Sequence, residues 1–106
     1  MAITFTYNDE DYTLEFSRKT VSMLERNGFV IDDVPNKPVT LLPRLFQGAF
    51  LMHHPRIKEA TVNEIFGLME DKENLLEALI ELYNAPLNSM FDEPKDSEKK
   101  VSWKKG

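Results

Sequence analysis

The side chains able to do chemistry fall into three small groups. His53-His54 is an adjacent histidine pair, Asp32-Asp33 and Glu70-Asp71 are adjacent acidic pairs, and a Lys-rich tail carries Trp103. A metal ion in a protein needs three or four converging donors. Neighbouring helical residues point about 100° apart, so the two histidines cannot grip one ion from one face. The chain has no Cys and no third His to complete a set. One half-buried and one exposed histidine is the better reading. The acidic pairs have no partner base in sight, and each suits a loop or helix cap. The tail lysines alternate with Asp and Glu, as in a solvated tail rather than a nucleic-acid or membrane motif. No G-x-S-x-G, P-loop or Rossmann fingerprint occurs, and Gly48 has no second glycine nearby with which to cradle a phosphate. We therefore expect no enzyme, no cofactor and no metal.

Composition sets wider limits. A chain of 106 residues supports one small domain with one core. No apolar run is long enough to span a bilayer, and the start, MAITFTYNDE, lacks the basic and apolar regions of a signal peptide. The absence of Cys excludes disulfides and fits an intracellular compartment. The net charge is -5. Residues 92–106 hold five Lys against four acidic residues, which leaves eight basic and 14 acidic residues, a net -6, on residues 1–91. So acidic a body argues against binding a phosphate backbone.

The elements that must position any site can be read in order. Ile3, Phe5 and Tyr7 alternate with threonines, and so do Tyr12 and Leu14, with Phe16 following Glu15. Residues 3–16 therefore predict a β-hairpin turning at Asn8-Asp9-Glu10-Asp11, with its apolar face on helices and open edges that a partner strand could use. Ser17 caps a first helix to about Asn27. Gly28 suits the left-handed position after it, with Phe29 folding back on Leu24. Residues 32–38 are a loop broken by Pro35 and Pro38. Thr61 to Glu64 has the form of a capping box for a third helix at about 62–69. Asp71 caps a fourth, with Leu75, Leu79, Leu82 and Tyr83 on its apolar half, and Pro86 kinks or splits it. The expected fold is α+β, mostly α: an N-terminal hairpin packed on about four helices. Residues 1–91 form the single domain, and 92–106 a flexible, disordered charged tail.

The chain is organised around Thr40 to His54, TLLPRLFQGAFLMHH. At helical period Leu41, Leu42, Leu45, Phe46, Ala49, Phe50, Met52 and His53 cover about half the circumference, with Thr40 as cap and Pro55 as the stop. A stripe that wide needs neighbours on two sides or a sticky surface. Phe50, Leu51 and Met52 spread over roughly 200°, too wide for one core to cover. Leu51 falls with Arg44, Gln47 and Gly48 on the otherwise polar side. The expected partner-binding residues are therefore Leu41, Arg44, Gly48, Phe50, Leu51 and Met52, with Gly48 admitting a close helix.

Three stretches, FTYNDEDYTLEFSRKTV, ERNGFVIDDVPNKPVTLLPRLFQGAFLMHH and ELYNAPLNSMFDEP, together resemble the tail assembly chaperones of long-tailed phages and prophages of Gram-positive bacteria. Together they cover nearly the whole chain from Phe5 as far as Pro94, and the resemblance rests on structural residues, with no catalytic signature. It implies a non-enzymatic, mostly helical protein of the host cytoplasm, without cofactor. Such a protein binds the tape measure protein and keeps it soluble until tail tube subunits polymerise around it. Self-association, and contact with the major tail protein, are further partnerships it implies; nucleic acid and membrane are not among them. Such proteins often have a longer, frameshifted form, and Lys104-Lys105 stands where paired lysine codons could slip. Two other readings are a small phage regulatory or inhibitory protein that binds a host enzyme, and a minor structural subunit of the virion.

Overall fold

A computed structural model describes residues 2–94 and 99–106. Strands β1 (Ile3–Tyr7) and β2 (Glu10–Leu14) form an antiparallel hairpin in which Ile3 faces Leu14, Phe5 faces Tyr12 and Tyr7 faces Glu10. Helices α1 (Arg18–Arg26), α2 (Pro38–Phe50), α3 (Glu59–Leu68) and α4 (Lys72–Ser89) follow, with one 3-10 turn at Ile31–Asp33. The fold is the expected hairpin on four helices.

The hairpin turn is tighter than its polar run of four residues implies. Only Asn8 and Asp9 lie in it, both with positive φ (51° and 61°). That is the backbone of a two-residue turn matched to the twist of the strands, and Asn and Asp tolerate it better than most residues. Glu10 and Asp11 are thereby paired in β2. Tyr12, Leu14 and Phe16 are buried beneath the hairpin, and Ile3, Phe5 and Tyr7 pack half-buried beside them.

Helix α1 begins and ends as its sequence predicts. The Ser17 hydroxyl accepts from the Thr20 amide, and the Thr20 hydroxyl accepts from the Ser17 amide. At the far end Gly28 (φ 83°) donates to Glu25 O, and the Phe29 amide to Leu24 O. This pair of bonds is a Schellman ending, and it drives Phe29 into the core beside Leu24.

Helix α2 is the hub, touching α1, α3, α4 and β2. Its ends differ from expectation. Thr40 is not the cap: the helix starts at Pro38, with Lys37 before it, and its first bond runs from the Leu41 amide to Lys37 O. Proline at the first position gives up no bond and presets φ, which outweighs a Thr cap two residues on. Pro43 lies inside the helix, past its first turn. The regular helix ends at Phe50 rather than His54. Beyond it Leu51 bonds back to Gly48 O and His53 to Phe50 O, the tighter spacing of a closing turn.

Two further starts are corrected. Helix α3 begins at Glu59, so Thr61 is already helical and caps nothing. Glu64 does not reach back to Thr61; its carboxylate accepts from the Tyr7 hydroxyl at 2.5 Å. Asp71 does precede α4, but in a left-handed conformation, and its carboxylate accepts from the Asn74 side chain rather than from a backbone amide. Helix α4 runs through Pro86 to Ser89 without the split allowed for it. Residues 92–94 and 99–106 carry no helix or strand; the part of the expected tail at 95–98 lies outside the described residues.

Candidate interaction surface

The structure separates the six residues expected to bind a partner. Leu41, Gly48 and Phe50 are buried, which removes them from any surface. Phe50 is fully buried amid rings: Phe46 at 5.1 Å between centroids, Tyr12 at 5.8 Å and Phe5 at 6.2 Å, all edge-on. Such pairs add to the burial of large apolar area. Arg44 is committed within the chain. Its guanidinium donates to Asn27 O at 2.9 Å and lies 5.7 Å from the centroid of Phe29, so it closes the C-terminal end of α1. Gly48 does admit a close neighbour, but that neighbour is Leu24 of the same chain. The polar-looking side of α2 is where α1 docks.

Leu51 and Met52 are different. Leu51 is half-buried and Met52 is 42% exposed. They line one side of an open groove of about 470 Å³, with Pro55 at its end and Ser17, Lys19, Thr20 and Met23 of the α1 segment opposite. Met23 is itself 38% exposed. Two methionines and a leucine thus converge where α1 and the end of α2 diverge. Thioether chains adapt their shape to varied apolar partners, and one lysine rims the groove. Met23 was missing from the expected surface. Its signal was present: it sits about 100° round α1 from Leu24, off the face that α1 buries.

A second, more polar cavity of about 630 Å³ lies where the hairpin meets the segment between α2 and α3. Its two tyrosines are each paired with a carboxylate of the lining. The Tyr12 hydroxyl donates to Glu10 at 2.8 Å, and Tyr7 donates to Glu64. These carboxylates are the first cause holding both phenols above their usual range, with partial burial second. His54 is half-buried, and its Nε2 accepts the Thr13 amide at 3.0 Å, so the ring proton belongs on Nδ1. His53 is exposed and pairs with Glu15 at 2.8 Å. The two histidines thus tie the turn that follows α2 to the end of the hairpin, through Thr13 and Glu15. Among the described residues no three His, Asp or Glu gather as a metal site, and no helix is long and apolar enough to cross a membrane.

Fold and surface together define a small α+β domain with an open, Met-lined groove between the α1 segment and the residues that follow α2. The chain belongs to the family described as a domain of unknown function, DUF5055, whose model matches residues 1–106. No curated protein and no solved structure matches it.

Proposed function

We propose that the protein is a phage tail assembly chaperone, acting in the host cytoplasm, that binds the tape measure protein and keeps it soluble while the tail tube assembles. The observation that carries this reading is the open groove of Met23, Leu51 and Met52 beside a complete core. A holdase needs adaptable apolar surface that its own fold does not consume, and this groove is one. The net -6 on residues 1–91 suits the second need, solubility for the complex. The resemblance of three stretches to tail assembly chaperones supplies the partner. In this reading the protein catalyses nothing and holds no cofactor, and an apolar helical segment of the tape measure protein lies in the groove. The major tail protein would meet the complex later, as the tube forms.

Co-expression tests the proposal. The tape measure protein should remain soluble and co-purify with the wild-type chain. Leu51→Glu and Met52→Glu should fold yet lose the complex. A tape measure protein that is as soluble without the chain, or that is held equally well by both variants, overturns the reading.

A further inference from the structure

The two edges of the hairpin are treated differently. On β2, the Thr13 amide points out of the sheet to His54 Nε2 at 3.0 Å, and the Glu15 amide to Ala49 O at 2.9 Å. That edge is held by the molecule itself at its Leu14 end, and towards the turn it carries the charged Glu10 and Asp11. Antiparallel pairing alternates, so Thr4, opposite Thr13, and Thr6, opposite Asp11, turn their backbone N–H and C=O out of the other side of the sheet. Both threonines are exposed. The Thr6 hydroxyl is taken by Asp11, but that bond lies across the hairpin and leaves the backbone edge clear.

Natural edges are usually guarded by lysine, proline, a bulge or a cover. From Ile3 to Tyr7 the β1 edge has none of these; its residues are uncharged, β-branched or aromatic. We propose that β1 pairs antiparallel with β1 of a second copy, about a two-fold axis at Phe5, to make a continuous four-stranded sheet. The strand is complementary to itself in this register. Thr4 meets Thr6 of the other copy and Thr6 meets Thr4, which joins the outward-facing donors and acceptors, while Ile3 falls opposite Tyr7 and Phe5 opposite Phe5. All five residues are paired and no like charges within the strand face each other, although each protomer is strongly acidic overall. The half-buried Ile3, Phe5 and Tyr7 side chains gain cover on the inner face of the joined sheet.

A second copy fits this edge because the assembly closes. Each protomer brings one unguarded edge, β1, and one β2 edge that is partly bonded within the chain and otherwise guarded by Glu10 and Asp11, so pairing leaves two guarded β2 edges outside and stops at two, as an isologous contact does. A five-residue edge is small against the roughly 1,600 Å² of a standard stable interface, so the dimer is weak and exchanges with monomer. The inference is independent of the function proposed above, because the groove and the β1 edge share no residue.

Sedimentation equilibrium of the full chain, from micromolar to millimolar, is the test. The wild-type chain should pass from monomer to dimer and no further. Thr4→Pro removes an outward N–H without touching the β1–β2 ladder, and should weaken dimerisation at least tenfold with an unchanged melting temperature. A wild-type chain that stays monomeric at millimolar concentration overturns the proposal. So does a folded Thr4→Pro that dimerises as well as wild type, or a dimer lost with Leu51→Glu and kept with Thr4→Pro. If Thr4→Pro does not fold, hydrogen exchange on the wild-type chain decides. The Thr4 and Thr6 amides should gain protection as concentration rises, and unchanged exchange there overturns the pairing. Tape measure binding that survives in Thr4→Pro keeps this outcome separate from that of the chaperone reading.

Discussion

A methyl group added at Gly48 would meet Leu24 Cδ1 at 2.7 Å and its Cγ and Cδ2 at 3.3 Å. Gly48→Ala gains about 1 kcal/mol of helix propensity and loses about 1–3 kcal/mol to overpacking, a net destabilisation of up to about 2 kcal/mol. Urea unfolding should show that loss. In a Leu24→Val background, which lacks the Cδ atoms, the same substitution should cost nothing or stabilise. Tyr83 gives a second prediction at this scale. Burial, and after it the charge of Glu25, holds its phenol above the ordinary value. The folded protein therefore favours the protonated ring more than the unfolded chain does. The resulting stability is present in full below about pH 10 and is lost as pH rises from there through the folded value. Tyr83→Phe should flatten the alkaline side of the stability curve. It should not abolish the slope, because Tyr7 and Tyr12 are raised as well, each by a hydrogen-bonded carboxylate. An unchanged slope in thermal melts from pH 9 to pH 11 would count against this assignment.

Helix α2 carries two kinds of apolar residue, and substitution should tell them apart. Phe46 is fully buried between Phe50 and Phe66, with centroids at 5.1 and 5.2 Å, so Phe46→Ala should cost about 3–5 kcal/mol. Leu51 lines the groove, and Leu51→Glu should cost much less, because its side chain can turn to water. Chemical denaturation of both variants checks the contrast, and equal losses would place Leu51 in the core. The same helix shows what its sequence could and could not reveal. Its wide stripe demanded neighbours on two sides, and it has them. The face with Arg44, Gln47 and Gly48 reads as solvent, however, because residue type is silent about partners far along the chain. Arg44 looks free until Asn27 is placed beside it, and Gly48 looks idle until Leu24 is. Local signals with local partners were legible: the Ser17–Thr20 cap, the Gly28 ending and the alternation of the strands. Glu64 belonged to a plausible capping box until a tyrosine 57 residues away claimed its carboxylate. The groove was half legible, through Leu51 and Met52, because an off-stripe leucine is visible in one helix. Met23 needed the second helix.

At the scale of the molecule, stability should rest on the core that joins the hairpin to α4 and not on the C-terminal residues. Val101 and Trp103 are 88% and 82% exposed. Truncation after Pro94 should therefore change unfolding free energy by less than about 0.5 kcal/mol, as exposed substitutions usually do. A larger drop in the melting curve would show that Trp103 docks. The link from Thr13 to His54 spans 41 positions, and that distance has a meaning during translation. The hairpin leaves the ribosome before the helices, yet the His54 ring that takes the Thr13 amide of its β2 edge is made much later. At about 5–20 residues per second the interval is roughly 2–8 s. Through it the nascent hairpin has neither its helical floor nor the bonds that hold its β2 edge, and an isolated hairpin is marginal in water. Neighbouring chains on one polysome would meet in that window with more open edge than the finished protein has.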